Sequence, residues 1–367
     1  MVTQDAVLDA LRAVKDPEAQ QDIVSLGLIR DLTIAESQVT FTLAFTNQSA
    51  ASKATLHSMA SRAVGRVPGV SKVQVKMGSG QPARPPQAQG HGHGHAPGAP
   101  KPEDFIPEVK QTIAVSSGKG GVGKSTVTVN LATALRLGGA SVGIIDSDVY
   151  GPDIPLMLGS RGRPGMFENR IIPVEAHGMK MMSIGLLVND KEPLVWRGPM
   201  IHSFIQQMLK DVNWGALDYL VFDMPPGTGD AQLSLSQVIP LSGVVMVTTP
   251  QEVALLDVRK AIAMFQKLNV PILGIVENMS YFVAPDTGKR YSIFGEGGGQ
   301  RLANEYNVPL LAQVPLDPAT RQAGDEGTPI TLRVPDSPQA RTFRDLAVAV
   351  RGRIDQLAAQ RPLPKIG

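Results

Sequence analysis

The sequence predicts an α/β protein, a doubly wound, mostly parallel sheet domain preceded by a small α+β domain, and three observations carry that prediction. From Gln111 onward, continuous apolar runs alternate with helical stretches, the pattern of parallel strands buried on both faces and joined by helical crossovers. The first of those runs, Ile113-Ala114-Val115-Ser116-Ser117, leads into a glycine-rich segment that opens a helix marked by Val127, Leu131, Ala134 and Leu135. Ahead of it, the first 78 residues have a helix and strand pattern of their own, set apart by a stretch with no apolar periodicity.

In chain order, an amphipathic helix carries Val7, Leu8, Leu11 and Val14, and Asp16-Pro17-Glu18 signals the turn after it. Two short alternating strands follow, Ile29–Ile34 and Val39–Leu43, then a helix over Ala50–Gly65 and a last strand over Val70–Val75. Residues 1–78 are therefore expected to form a small α+β domain, about large enough to fold alone. Residues 79–107 read as a flexible linker of glycine and proline with His91, His93 and His95 at alternate positions. Three such histidines would bind a metal weakly; a backbone without rigid geometry favours a polar tether.

Residues 108–367 are expected to form the main domain. Its candidate strands are Thr112–Ser116, Val142–Asp146, Tyr219–Asp223, Val244–Thr248, Ile272–Glu277 and Leu310–Val314, separated by helices such as Val253–Leu268 and Arg341–Leu357. In such a sheet the ligand site lies at the carboxyl ends of the strands.

Composition narrows the class. Hydrophobic residues make up 43% and charged residues 19% of 367, an ordinary soluble balance. The net charge of +2 gives no electrostatic argument for nucleic acid. The start of the chain lacks the basic and apolar regions of a secretory signal, and no apolar run reaches membrane-spanning length, so a cytoplasmic protein without membrane contact is expected. There is no cysteine, which excludes disulfides and any thiolate-ligated metal centre built from this chain alone.

The segment Gly118-Lys119-Gly120-Gly121-Val122-Gly123-Lys124-Ser125-Thr126 contains G-x-x-x-x-G-K-[ST] between a strand and a helix, the setting a phosphate-binding loop requires. Its glycines let successive N–H groups turn onto a polyphosphate, and the helix N-terminus adds its positive end. Lys124 is placed to reach the β- and γ-phosphates, and Ser125 to hold Mg²⁺ through its hydroxyl. Asp146 and Asp223 each end an apolar run, where a carboxylate beside such a loop holds Mg²⁺ through water. Asp148 follows two residues after Asp146, and Gly227, in Asp223-Met224-Pro225-Pro226-Gly227-Thr228-Gly229-Asp230, stands where a backbone N–H would sense the γ-phosphate. Lys119 comes too early in the loop to serve its own β-phosphate. It would point toward a facing subunit and stabilise transition-state charge there, as an arginine finger does.

The Lys119–Ser125 segment is similar to the deviant Walker A loop of the MinD/ParA class of dimeric ATPases. Together with Asp146-Ser147-Asp148-Val149-Tyr150-Gly151-Pro152-Asp153, Trp196-Arg197-Gly198-Pro199-Met200, Asp223–Asp230 and Glu277-Asn278-Met279-Ser280-Tyr281, it resembles the Mrp/ApbC family of iron–sulfur cluster carrier ATPases, from about residue 108 to 360. The N-terminal unit, through Asp16-Pro17-Glu18 and Asp22-Ile23-Val24-Ser25-Leu26-Gly27-Leu28, resembles the small iron–sulfur assembly domain of many bacterial members.

The resemblance implies an ATP- and Mg²⁺-dependent homodimer acting on apo iron–sulfur client proteins or other assembly factors. It implies Lys119 acting in trans, Lys124 and Ser125 on phosphate and Mg²⁺, Asp148 orienting the attacking water, and Asn278 hydrogen-bonding adenine. It also implies a [4Fe–4S] cluster bridged between subunits by Cys-x-x-Cys. Here that position reads Ala284-Pro285-Asp286-Thr287, and Asn47-Gln48-Ser49 stands where relatives often carry a cysteine. Asp286 and Thr287 offer hard oxygen donors, poor partners for iron–sulfur. Two rival expectations accompany this one. The first is an ATP-gated scaffold without a cluster. The second is a partitioning ATPase of the MinD/ParA kind, against which the proline-broken C-terminus, Gln360–Gly367, offers no amphipathic membrane helix.

Overall fold

A computed structural model describes residues 2–16, 21–35, 37–45, 50–79, 105–187 and 198–360. Pro17-Glu18, the three linker histidines, Asn47-Gln48-Ser49 and Trp196-Arg197 lie outside the described residues. The chain divides into two compact units, Met1–Gly94 and His95–Gly367.

In the first unit, α1 (Gln4–Arg12) is capped by the Thr3 hydroxyl, followed by β1 (Ile29–Ala35), β2 (Gln38–Phe45), α2 (Ala50–Gly65) and β3 (Lys72–Ser79). β1 and β2 pair antiparallel, while β2 and β3 pair in parallel, α2 making the crossover that parallel pairing demands. Val7 and Leu11 of α1 pack with Ile23, Phe41, Leu43, Leu56 and Val64 into a separate core.

The second unit begins earlier than the sequence suggests. Ile106, expected in the linker, is 6% exposed and packs into the core, with Phe105 against it. The elements follow as β4 (Val109–Ser117), α3 (Lys124–Leu137), β5 (Val142–Asp146), α4 (Ile154–Met157), β6 (Gly165–Phe167), β7 (Arg170–Ile172), β8 (Val174–Ala176) and β9 (Met179–Ser183). Next come α5 (Gly198–Lys210), β10 (Leu217–Asp223), α6 (Asp230–Val238), β11 (Gly243–Thr248), α7 (Glu252–Lys267) and β12 (Ile272–Glu277). The chain ends through β13 (Phe282–Val283), β14 (Arg290–Tyr291), α8 (Gly298–Tyr306), β15 (Leu310–Gln313), α9 (Pro318–Asp325), α10 (Ile330–Arg333) and α11 (Pro338–Gln360).

Eight strands make the main sheet in the order β15-β12-β11-β4-β10-β5-β9-β8, all parallel except β8, which pairs antiparallel with β9. From β4 the chain runs out to β5 and β9, returns to insert β10 between β4 and β5, then crosses to β11. Loops from both sides therefore meet at the carboxyl end of β4. Alternate residues of each strand feed opposite faces. Ile113, Val115, Val245 and Val247 pack with Leu131, Leu135, Phe343 and Leu346 on one side. Ala114, Val244, Met246 and Phe222 pack with Ile205, Leu209, Leu255 and Phe265 on the other. This double burial is why the strands read as unbroken apolar runs.

The sequence reading misses four short strands, β6 to β9. They turn at Glu168-Asn169 and His177-Gly178, all four with positive φ, and a methionine-rich strand such as Met179-Lys180-Met181-Met182 carries little β signal. Among the described residues no helix is long and apolar enough to cross a membrane.

At the amino end of the sheet Asp218 ties three strands together. It accepts from Lys110 Nζ at 2.8 Å, from Ser141 N–H at 2.8 Å and from Ser141 Oγ at 2.9 Å. These donors hold its carboxyl at about 2, below the ordinary 3.8. A depressed carboxylate stabilises the fold above its unfolded value and loses that contribution as pH falls through the folded one. The site is one-third exposed and therefore screened, so Asp218→Asn should cost under about 1 kcal/mol at pH 7. The difference in urea midpoint between Asp218→Asn and wild type should shrink as pH falls from about 4 toward 2, in the window set by these two values.

Candidate nucleotide-binding site

Strand register assembles the site. Asp223 of β10 pairs with Asp146 of β5 on one side and Val115 of β4 on the other, so two carboxylates and the start of the glycine-rich loop share one edge of the sheet. The loop runs from buried Gly118 through exposed Gly120 and Gly121 to buried Val122, and α3 starts at Lys124 with Gly123 as its N-cap. No side chain caps this helix, so its first N–H groups stay available to an anion.

Lys124, Ser125 and Thr128 all converge on one carboxylate. Lys124 Nζ lies 2.6 Å and Ser125 Oγ 2.7 Å from Asp223 Oδ2, and the Thr128 hydroxyl is 2.6 Å from Oδ1. Lys124 is 6% exposed and Asp223 fully buried, so the pair is offset against desolvation by short charge-assisted bonds. Asp148 Oδ2 stands 3.9 Å from the same ammonium. Burial raises the Asp148 carboxyl above its ordinary value although Lys124 opposes the shift. Its Oδ1 is buried without a hydrogen-bond partner among the described residues, an acceptor open to a further ligand.

Asp146 is held by its own neighbours. Its Oδ1 accepts from the Asp148 N–H at 3.2 Å, and its Oδ2 from Ser183 Oγ at 3.0 Å and the Ile154 N–H at 3.3 Å. It therefore braces the backbone of the Asp148 turn while lying close enough to Lys124 for that charge to act on it. Burial first, then the neighbouring Asp223 charge, pushes its carboxyl well up. The Gly227 N–H donates to the Ser117 carbonyl at 3.2 Å, next to the start of the loop. Lys119 is half-buried, and its carbonyl accepts from Ser117 Oγ at 3.0 Å. Its side chain makes no ion pair among the described residues.

Asn278 closes the other side. Its Nδ2 donates to the Val122 carbonyl at 2.8 Å, and a Cβ on residue 123 would lie 2.2 Å from that nitrogen. Gly123 also has φ +80°, so both the turn and the close approach require glycine there. Asn278 and Thr126 line a mostly apolar cavity of about 660 Å³ together with Met279, Phe282, Pro315 and Leu316, a size that suits a nucleoside. Met279 holds φ +52°, which costs a non-glycine residue roughly 1 kcal/mol.

β13 and β14 form a hairpin whose tip is Ala284-Pro285-Asp286-Thr287. The Asp286 carboxylate accepts from the Thr287 N–H at 2.9 Å, and the Thr287 hydroxyl accepts from the Lys289 N–H at 3.4 Å. The tip has no sulfur and Asp286 and Thr287 offer only hard oxygen, so a thiolate-ligated iron–sulfur cluster does not fit here.

Sequence reasoning overlooked several contributors. Thr128 lies one helical turn after Lys124, a spacing that could have flagged it. Ser183 sits on an unrecognised strand, and nothing local announces its contact with Asp146. Buried Gln232, whose amide donates to Ser116 beside the loop, lies two residues into a helix that the Asp223–Asp230 motif already marked.

Residues 108–351 match the family model described as the NUBPL iron-transfer P-loop NTPase, and residues 4–77 match that of an iron-sulfur cluster assembly protein. The chain is 47% identical over 364 residues to the iron-sulfur cluster carrier protein of Synechocystis sp., covering 98% of this chain and 99% of that one. It is 46% identical to the iron-sulfur cluster carrier protein of Deinococcus radiodurans, covering 95% of each. Among solved structures, the nucleotide-binding protein of Archaeoglobus fulgidus in complex with ADP is 39% identical, covers 66% of this chain and 95% of that chain, and superposes with a TM-score of 0.58. A phosphate loop whose lysine and serine meet a strand-end aspartate, in a sheet of this order and at this level of identity, leads to one conclusion: the chain belongs to the family of iron-transfer P-loop NTPases that includes the iron-sulfur cluster carrier proteins, with an iron-sulfur cluster assembly domain at its N-terminal end.

Proposed function

We propose that the chain is a Mg²⁺-dependent ATPase that works in the cytoplasm as a homodimer, serving iron–sulfur cluster carriage to apo-protein clients or other assembly factors. The convergence of Lys124 and Ser125 on Asp223 carries the reading: a cation and a hydroxyl held 2.6 and 2.7 Å from a strand-end carboxylate are the components of a metal–phosphate site. ADP in the Archaeoglobus fulgidus relative supports an adenine nucleotide.

The loop amides from Gly118 to Thr126 would wrap the polyphosphate, and Lys124 would exchange Asp223 for the β- and γ-phosphate oxygens. Ser125 and Asp223 offer the hard oxygen donors that suit Mg²⁺, whose chemistry is to neutralise the β- and γ-oxygens. Asp148, with its unpartnered Oδ1, would orient the attacking water, and Asp146 would hold Asp148 in place. Gly227 would reach the γ-phosphate only by releasing the Ser117 carbonyl, which makes that bond a switch between nucleotide states. Asn278 would read adenine from the cavity wall, and Lys119 would serve the facing protomer.

The cluster is cargo in this reading, and the chain brings no thiolate to it. Its ligands then come from the client or assembly partner, and the ATP cycle governs how a pair of subunits holds that partner. This is the scaffold reading, favoured by the sulfur-free hairpin tip.

Lys124→Ala should lower ATP turnover at least about 100-fold in a phosphate-release assay. Lys119→Ala should lower turnover by roughly as much while nucleotide affinity, measured by calorimetry with Mg²⁺, stays within about threefold. Reconstitution of the purified chain with iron and sulfide should yield no stable thiolate–iron absorption in the visible range, and an intense, stable chromophore would overturn the scaffold reading.

A further inference from the structure

The glycine run of Phe294-Gly295-Glu296-Gly297-Gly298-Gly299 and the buried Glu277 have no part in the mechanism above. Glu277 ends β12, is 0% exposed, and accepts from three donors: the Gly299 N–H, Ser280 Oγ, and Gln313 Nε2 at 3.0 Å. Gly299 lies in the first turn of α8, so the carboxylate also meets the positive end of that helix. A side chain at residue 299 would place its Cβ 2.8 Å from Glu277 Cβ and 3.0 Å from Oε2. The carboxylate reaches that N–H because residue 299 has no side chain.

The same carboxylate closes a turn. Its bond from Ser280 spans Asn278 and Met279, the latter at φ +52°. The Asn278 N–H donates to the Thr248 carbonyl at 2.8 Å and the Ser280 N–H to the Val314 carbonyl at 2.9 Å, fixing both ends of the turn to neighbouring strands. Pinned in this way, the turn presses Asn278 onto the phosphate loop and sets Asn278 and Met279 in the cavity wall.

We propose that Glu277 is a positioning residue for nucleotide selection: held by the glycine run at the start of α8, its carboxylate fixes the Asn278–Met279 turn and so sets the wall against which the purine base is read. The proposal rests on the reading of the cavity as the nucleoside subsite. Glu277 is not among the residues that line the cavity, so its effect passes through the turn.

Three variants test it. Glu277→Ala removes the acceptor, Gly299→Ala displaces the carboxylate from the far side, and Ser280→Ala removes one donor, the mildest change. In steady-state assays with ATP and GTP, Glu277→Ala and Gly299→Ala should raise KM for ATP roughly five- to tenfold, and Ser280→Ala roughly two- to threefold. In each, kcat should stay within about twofold, and the ATP-over-GTP ratio of kcat/KM should fall in step with the rise in KM. A merely structural role would lower kcat through a smaller folded fraction and leave KM and the ratio unmoved, which overturns the proposal. If the two stronger variants do not fold, a folded Ser280→Ala with unshifted KM and ratio overturns it equally. Lys124→Ala runs alongside: retained turnover there sinks the nucleotide reading itself. An inactive Lys124→Ala beside unaltered Glu277→Ala or Gly299→Ala sinks the positioning role alone.

Discussion

The buried carboxylate of Asp223 draws together the parts on which the site depends. Lys124, Ser125 and Thr128 donate to it from one turn of α3, and it stands at the end of a strand whose register places it beside Asp146. An ammonium 6% exposed needs a partner of opposite charge, because desolvating it alone costs several kcal/mol. Asp223 is that partner, which ties the first turn of α3 to the central strands. The helix start, the glycine-rich loop before it and the ends of three strands are therefore placed as one unit. A metal-bound phosphate would enter by substituting for a charge already balanced.

Around that pair the carboxylates divide by environment. Asp146, wholly enclosed and next to Asp223, has its carboxyl pushed well up by burial, whereas Asp148 is raised less and keeps an unsatisfied oxygen at the edge of the site. A single residue, Ser147, separates them in sequence, yet one organises the backbone of its own loop and the other stands 3.9 Å from the Lys124 ammonium. Strand pairing makes this division: Ser183, which holds Asp146 from behind, comes from β9, paired in register with β5.

Much of this was legible in the sequence. The fold class follows from unbroken apolar strands and the helix-opening glycine loop, since double burial and phosphate binding each leave a pattern in consecutive residues. Lys124, Ser125 and Asp223 were legible for the same reason, as each is defined by its place at a strand end or helix start. The bonds that Asp146 accepts from Ser183 and Gly227 donates to Ser117 were not legible, because they depend on tertiary register, which local spacing does not encode. β6 to β9 were missed because three- to five-residue strands with methionine, glutamate and lysine lack the composition that marks a strand. Phe105 and Ile106 were lost in a proline-rich neighbourhood, although two adjacent large apolar residues are the mark of a core anchor.

The strand that breaks the parallel order, β8, has only three residues, and β15 at the opposite margin has four. A parallel sheet exposes unpaired backbone groups along its outermost strands, and long flat margins recruit foreign strands into continuous ribbons. Margins this brief, one of them reversed in direction, offer too little ladder for that. Sheet extension from one copy into another is thereby disfavoured, and the open ends of the parallel ladder are left short on both sides.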